Sequence, residues 1–303
     1  MNAKNTIITS RCLDLKNRFI EIKNKIETDS RYTNLKTICE FLPSKNLLIY
    51  DTERIYPDAS EYKDRTPILF LFSNPHPVSV KTGLFLSEPH SNKFWLRLFQ
   101  TDEVKLASNS EINLQSLDNW NKLKPKKLKE KLVEKLKDIM LKATYKSRFI
   151  IYLHCLYPIP TNQLGDLYRL FNKQTDLWKQ IEKDSMTELA QLLKEEAIKH
   201  VVVFTNEIFQ LITDATVKDV KSWRKTVKNA LKDGDAKQLW AHYGSGIAKA
   251  KVDMFEGVTF YHALDTHAKD WGKKKGIELN KDKRYFTSVL DKIFENIPSA
   301  KQS

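Results

Sequence analysis

Four short runs along the chain are apolar with little polar alternation: Pro67–Ser73 (PILFLFS), Phe149–Leu156 (FIIYLHCL), Val201–Thr205 (VVVFT) and Val258–Leu264 (VTFYHAL). Continuous apolar runs of this length fit strands buried on both faces, as in a parallel sheet covered by helices. Between them the pattern turns helical. Met186–His200 places Leu189, Leu192, Leu193 and Ala197 on one face and runs into the third strand, and Asn206–Thr213 starts another helix after it. Strands alternating with helices predict an α/β fold, a three-layer α/β/α sandwich around a short central four-stranded parallel sheet with right-handed crossovers.

Three segments fall outside this alternation. Residues 1–60 read as an N-terminal helical extension, because Leu13, Phe19, Ile22 and Ile26 recur near helical spacing. The main domain then spans 61–303, with basic insertions near 101–148 and 214–250. Residues 121–148 are lysine-dense and carry Leu128, Leu132, Leu136, Ile139 and Met140 at helical intervals. They predict an amphipathic helix whose basic outer face is either simply solvated or turned toward phosphates. The second insertion contains Trp223 and Trp240.

Composition narrows the partners. A chain of 303 residues, 41% hydrophobic, can bury one large core or a core with a small accessory domain. Lys and Arg number 51 against 38 Asp and Glu, a net charge of +13. That surplus favours a polyanion, nucleic acid or an acidic membrane surface, unless it reflects only a lysine-rich genome. Cys12, Cys39 and Cys155 form no CxxC pair and are too few for a four-thiolate cluster or a disulfide scaffold, which fits a reducing cytosol. Residues 1–11 lack the basic head and apolar run of a signal peptide, and no stretch of about 20 apolar residues exists to span a membrane. The histidines show no HExxH spacing, and His242–Gly246 is a glycine turn rather than a phosphate loop. Neither a metal nor another cofactor is expected.

The most specific segment follows the first strand: LFSNPHPVSVKTGLFLSEPHSNKFWLRLF, residues 71–99. In an open α/β sheet, ligands bind at the carboxyl ends of the strands, where this loop lies. The segment resembles the first active-site motif of the uracil-DNA glycosylase superfamily, most closely its mismatch-specific uracil/thymine-DNA glycosylase branch. That branch reads Asn-Pro-Gly, then a Ser, a Gly and a Phe, then Pro and Asn-Arg-Phe-Trp. Here Asn74-Pro75, Ser79, Gly83, Pro89, Asn92, Phe94 and Trp95 match in order. Lys93 replaces the Arg, His76 replaces the first glycine, and the spacing from Gly83 to Asn92 is one residue longer. Tyr157–Asn162 stands where the family has a Thr/Asn-containing turn, and LAQLLKEEAIKHVVVFTNEIFQLI is similar to its helix, third strand and next helix. The resemblance covers residues 65–280 with insertions; its sharp part is the loop.

The resemblance implies hydrolysis of an N-glycosidic bond in DNA. The nucleotide must leave the stack, the departing base needs its negative charge stabilised, and water must reach the sugar. By resemblance Asn74 holds the attacking water, although an amide is a poorer base than a carboxylate. Phe85 supplies the face on which the base stacks, with Leu86 the competing alignment. Asn92 either reads the base edge or braces the loop, and Trp95 holds the helix against the sheet. His76 either contacts substrate or acts as an acid, or is a solvent-facing turn residue.

The family's His-Pro-Ser or Asn-Pro-Ser motif after the last strand is absent. In the stretch His262–Gly272, His267 is the candidate to stabilise the leaving base, and Asp265 either orients it or polarises water. Trp271 is a wedge candidate for the gap left by an extruded base, unless it packs in the core. Lys81, Lys93, Lys273, Lys274 and Lys275 would bind backbone phosphates. The expected protein is therefore a soluble, cytoplasmic, monomeric and monofunctional DNA glycosylase. It would remove uracil, mismatched thymine or a modified pyrimidine, including one in foreign DNA such as phage DNA. The alternative is a catalytically inactive DNA-binding protein on the same fold.

Overall fold

Where the spacing predicts a helical N-terminal extension, a computed structural model of the chain shows one helix set against a small antiparallel sheet. The structure describes residues 8–58, 62–89, 92–124, 126–232, 247–249, 251, 253–263 and 285–299. Strand β1 (Ile8–Asp14) pairs with β3 (Leu47–Glu53), which pairs with β2 (Glu40–Leu42), in the order β1-β3-β2. Helix α1 (Phe19–Thr28) buries Phe19, Ile22 and Ile26, the residues whose spacing predicts it. Leu13 belongs instead to β1, opposite Leu48. The helical pattern is local and readable, whereas pairing between strands more than thirty residues apart leaves no periodic mark. Past β3 the chain continues to Ile55, which bridges antiparallel to Leu153.

Each of the four apolar runs is a strand: β4 (Thr66–Phe72), β5 (Phe149–Cys155), β6 (His200–Val203) and β8 (Thr259–His262). They form the expected parallel sheet, in the order β5-β4-β6-β8. A short β7 (Ile247–Lys249), from the second insertion, adds to β8 antiparallel. The register pairs Phe72 with Cys155, Leu71 with Val203 and Val203 with His262, so the carboxyl ends stand nearly level. Successive side chains point to opposite faces. Ile68, Phe70 and Phe72 enter one apolar core, while Leu69 and Leu71 enter the other. Two buried faces explain why these strands read as unbroken apolar runs.

The helices between and after these strands are α2 (Pro77–Thr82), α3 (Lys93–Gln100), α4 (Leu114–Asp118), α5 (Lys126–Leu141), α6 (Leu164–Phe171), α7 (Asp176–Glu195), α8 (Asn206–Ile212), α9 (Val217–Lys232) and α10 (Tyr285–Asn296). Helices α3, α4, α5 and α10 contribute to the first core. Helices α1, α6, α7 and α8 contribute to the second, with Leu48 and Tyr50 of β3. Three layers result, with the small N-terminal sheet added to the second.

Helix α7 starts ten residues before the predicted helix, where the Thr175 side chain accepts from the Trp178 N–H at 3.3 Å. It stops before Ala197, whose φ of 51° and the 3.3 and 2.8 Å bonds from the Ala197 and Ile198 N–H groups turn the chain into β6. Helix α5 buries Leu132, Leu136 and Met140, but Leu128 is exposed. Among the described residues, no helix is long and apolar enough to cross a membrane.

Candidate functional site

The chain leaves β4, returns through β5 on one side of it and through β6 on the other. The crevice at the carboxyl ends of β4 and β6 is therefore the switch point at which open α/β sheets bind ligands. A cleft of about 470 Å³ opens there, a volume typical of small-ligand sites. Phe72, Ser73 and Asn74 line it from β4, Phe204 and Thr205 from β6, and His262 and Ala263 from β8.

Asn74 is held on both sides of its amide. Its Nδ2 donates to the Thr161 carbonyl at 3.1 Å and to Thr161 Oγ1 at 2.9 Å, and its Oδ1 accepts from Ser73 Oγ at 3.1 Å. Thr161 is itself fixed: its N–H donates to the Pro75 carbonyl at 3.1 Å and its hydroxyl to the Gln163 carbonyl at 2.8 Å. A carbonyl can only accept, so the network dictates which side of the amide is nitrogen. Oδ1 keeps a second lone pair for a ligand or water. Beside it, Nδ1 of the half-buried His76 accepts from the Val78 N–H at 3.2 Å and caps the short α2. His76 also lines the cleft.

Gly83 ends α2 at φ 67°, a conformation that glycine adopts without strain. The chain then enters the base-stacking candidates. Phe85 is buried, lies 5.9 Å from the Phe72 ring centre, and lines the cleft. Leu86 lines it too, at a φ of 52° that is costly for a branched side chain. The two candidate alignments thus resolve into one wall to which both residues contribute. Phe72 and Phe204 stack at 4.7 Å and 8° beneath it. Trp95 is buried and donates Nε1–H to the Phe85 carbonyl at 2.8 Å, pinning the loop to α3.

Asn92 is absent from the cleft wall. It is wholly buried and donates to Asn121 Oδ1 at 2.6 Å, while Asn121 donates to the Pro89 carbonyl at 2.9 Å. Of its two alternatives, the structure gives it the bracing role. Lys93 is drawn onto Asp118, whose Oδ1 and carbonyl each accept at 2.5 Å, so it is not poised for a phosphate. Lys81 is exposed on α2. Along α5, Lys126 pairs with Glu130, Lys135 with Glu111 and Lys137 with Glu134, which neutralises part of its basic face. Asp265, His267, Trp271, Lys273, Lys274 and Lys275 lie outside the described residues.

Several lining residues were not singled out from the sequence. His262 closes β8, stacked on Phe209 at 4.7 Å and tilted against Trp223 at 4.3 Å. Burial, then the charge of Arg224, pulls its imidazole down to about 3, so it is neutral at physiological pH. Its position at a strand's carboxyl end is the sequence signal that marks it. Arg224 of α9 and Glu207 of α8 also line the cleft, as do Glu53 and Glu88. Glu88 accepts from Ser79 Oγ at 2.8 Å, which gives the matched serine a structural task. Glu53 Oε2 has no hydrogen-bond partner among the described residues; burial, then the charge of Glu88, pushes the carboxyl up to about 8.

Among the described residues, no group of three or more His, Cys, Asp or Glu is arranged to hold a metal ion. No family model matches this chain, and no curated protein matches it.

Proposed function

We propose that the chain is a DNA N-glycosylase of the uracil-DNA glycosylase type. It hydrolyses the base–sugar bond of a flipped uracil, mismatched thymine or modified pyrimidine and leaves an abasic site. The observation that carries this reading is the placement of Asn74, at the switch point of the sheet. Its amide is locked by Thr161 and Ser73, and one acceptor lone pair remains beside an aromatic wall.

In this reading the base enters between the Phe85–Leu86 wall and the residues that follow β6 and β8. A water held on Asn74 Oδ1 adds its oxygen to the anomeric carbon. The glycosidic C–N bond breaks, its electron pair leaves with the base, and the water proton passes to solvent or to the base. His262, held neutral, can offer an N–H to the departing base without the reorganisation that a charged group needs. The reaction calls for no cofactor. The absence of the family's usual second motif and the two insertions extend the proposal to modified bases in foreign DNA, such as phage DNA. The chain works on DNA as a monomer. Unpaired Cys12, Cys39 and Cys155 fit a reducing cytoplasm.

The test is abasic-site formation, read by alkaline strand cleavage. The oligonucleotide panel carries uracil, mismatched thymine and hydroxymethylated or glucosylated cytosine. Cleavage of one substrate is the expected result and names the base. Binding without cleavage across the panel would replace the enzyme with a non-catalytic DNA-binding protein on the same fold.

A further inference from the structure

Glu53 reaches the cleft by a route separate from the Asn74 loop. It is the last residue of β3, and two residues later Ile55 pairs antiparallel with Leu153 on the outer edge of β5. Antiparallel pairing sets Glu53 beside Cys155, the carboxyl end of β5, and both line the cleft. The side chain is 1% exposed, and its Oε2 has no hydrogen-bond partner among the described residues. A buried polar atom left bare costs about 1–3 kcal/mol, so its retention asks for a use.

Among the described residues, no cation forms an ion pair with it. Arg54, next in sequence, binds Glu188 of α7. The titratable groups around Glu53 are Glu88 from the loop after α2 and Cys155 from β5, with His76, His262, Glu207 and Arg224 on the other walls of the cleft. Cys155 is buried, which raises its thiol well above the ordinary range and leaves it uncharged. A carboxyl in such a place stays protonated, and a neutral carboxyl presents one O–H donor beside one acceptor.

We propose that Glu53 is the base-reading residue of the cleft, pairing through two hydrogen bonds with the amide or amidine edge of a flipped pyrimidine. The cyclic amide of a uracil-type base and the amidine of a cytosine-type base each offer a donor beside an acceptor. A protonated carboxyl complements both, whereas a carboxylate can only accept. This inference rests on the glycosylase reading and names the part of the substrate that the cleft recognises.

The experiment titrates the full-length protein with 1-methylcytosine and 1-methyluracil by NMR, at pH values below and above about 8, the value to which Glu53 is raised. Wild type, Glu53→Gln and Glu53→Leu are compared, with melting temperatures recorded to confirm folding. Abasic-site formation on the oligonucleotide panel is measured in parallel. The expected result is wild-type binding that weakens about tenfold per pH unit above the transition. Glu53→Gln, which keeps a donor and an acceptor but cannot ionise, binds at both pH values. Glu53→Leu loses at least about tenfold, the scale of one or two hydrogen bonds. Pyrimidine binding that is equal in all three folded proteins and independent of pH overturns the inference and leaves the glycosylase reading standing. No pyrimidine binding and no abasic sites in wild type overturn both.

Discussion

Two walls of one cleft treat their polar groups in opposite ways. On the wall after β4, both ends of the Asn74 amide are engaged, by Thr161 on one side and Ser73 on the other. On the wall supplied by β3, Glu53 presents a buried carboxyl oxygen with no partner among the described residues. A satisfied group holds its geometry before any ligand arrives; an unsatisfied one acquires its partner only when a ligand comes. The first arrangement suits a residue that positions water. The second suits one that recognises a substrate edge, and a small loss of stability is its natural consequence.

Breaking the ordered wall should have the largest effect. Asn74→Ala is expected to lower abasic-site formation by at least about a hundredfold, the scale of losing a positioned catalytic group, with DNA binding unchanged. Single-turnover rates beside a binding isotherm check this. Asn74→Asp sharpens the point. A carboxylate there would face the Thr161 carbonyl, now a bond acceptor at 3.1 Å, so activity should fall even though Asp is the stronger base. A rate above wild type would mean that proton acceptance, not orientation, limits Asn74.

The bare wall predicts a pH signature in stability that needs no substrate. Folding raises the Glu53 carboxyl from 4.5 to about 8. Between those values the unfolded chain has released this proton and the folded chain has not. Its contribution to stability is therefore complete below 4.5 and is lost as pH rises to about 8, beyond which nothing further is lost. The melting temperature of Glu53→Gln minus that of wild type should rise across this window and then level off. A difference that stays constant with pH would show that Glu53 is not buried as described.

Two smaller effects bound the comparison. Asn92→Ala removes a wholly buried amide and its 2.6 Å bond to the exposed Asn121, and should cost about 0.5–1.5 kcal/mol in denaturant unfolding. Catalysis by the folded fraction should be preserved, because Asn92 braces the loop from behind. Lys93→Ala breaks a partly exposed pair with Asp118 and should cost no more than about 1 kcal/mol. It should also leave the salt dependence of DNA binding unchanged. A shallower dependence in that variant would return Lys93 to the phosphate-binding set.

The same contrast separates what the sequence discloses from what it hides. The four parallel strands were legible because burial on both faces makes each an unbroken apolar run. The Asn74 loop was legible because its spacing from β4 to α3 is local. Asn92 belongs to the same loop with its role open, since one position can face the ligand or the scaffold and only the partner, Asn121, decides. Glu53 was illegible. It sits in LLIYDTE, whose polar residues mark no site, and it reaches the cleft only because β1 and β3 pair across the N-terminal segment and Ile55 meets the edge of β5. Leu13 falls on a helical stripe by spacing yet lies in β1, for the same reason. His262 is marked in the sequence only as the end of a strand, and the residue expected in its place, His267, lies outside the described residues.

The most direct measurement of the central claim counts two products of one reaction: free base by mass spectrometry and abasic sites by alkaline cleavage. Wild type and Asn74→Ala would be compared under single-turnover conditions on the best substrate of the panel. The account predicts equal amounts of the two products from wild type, and loss of both together in a variant that still binds DNA. A wild-type protein that binds DNA yet releases no base from any substrate, or an Asn74→Ala variant as fast as wild type, would contradict it.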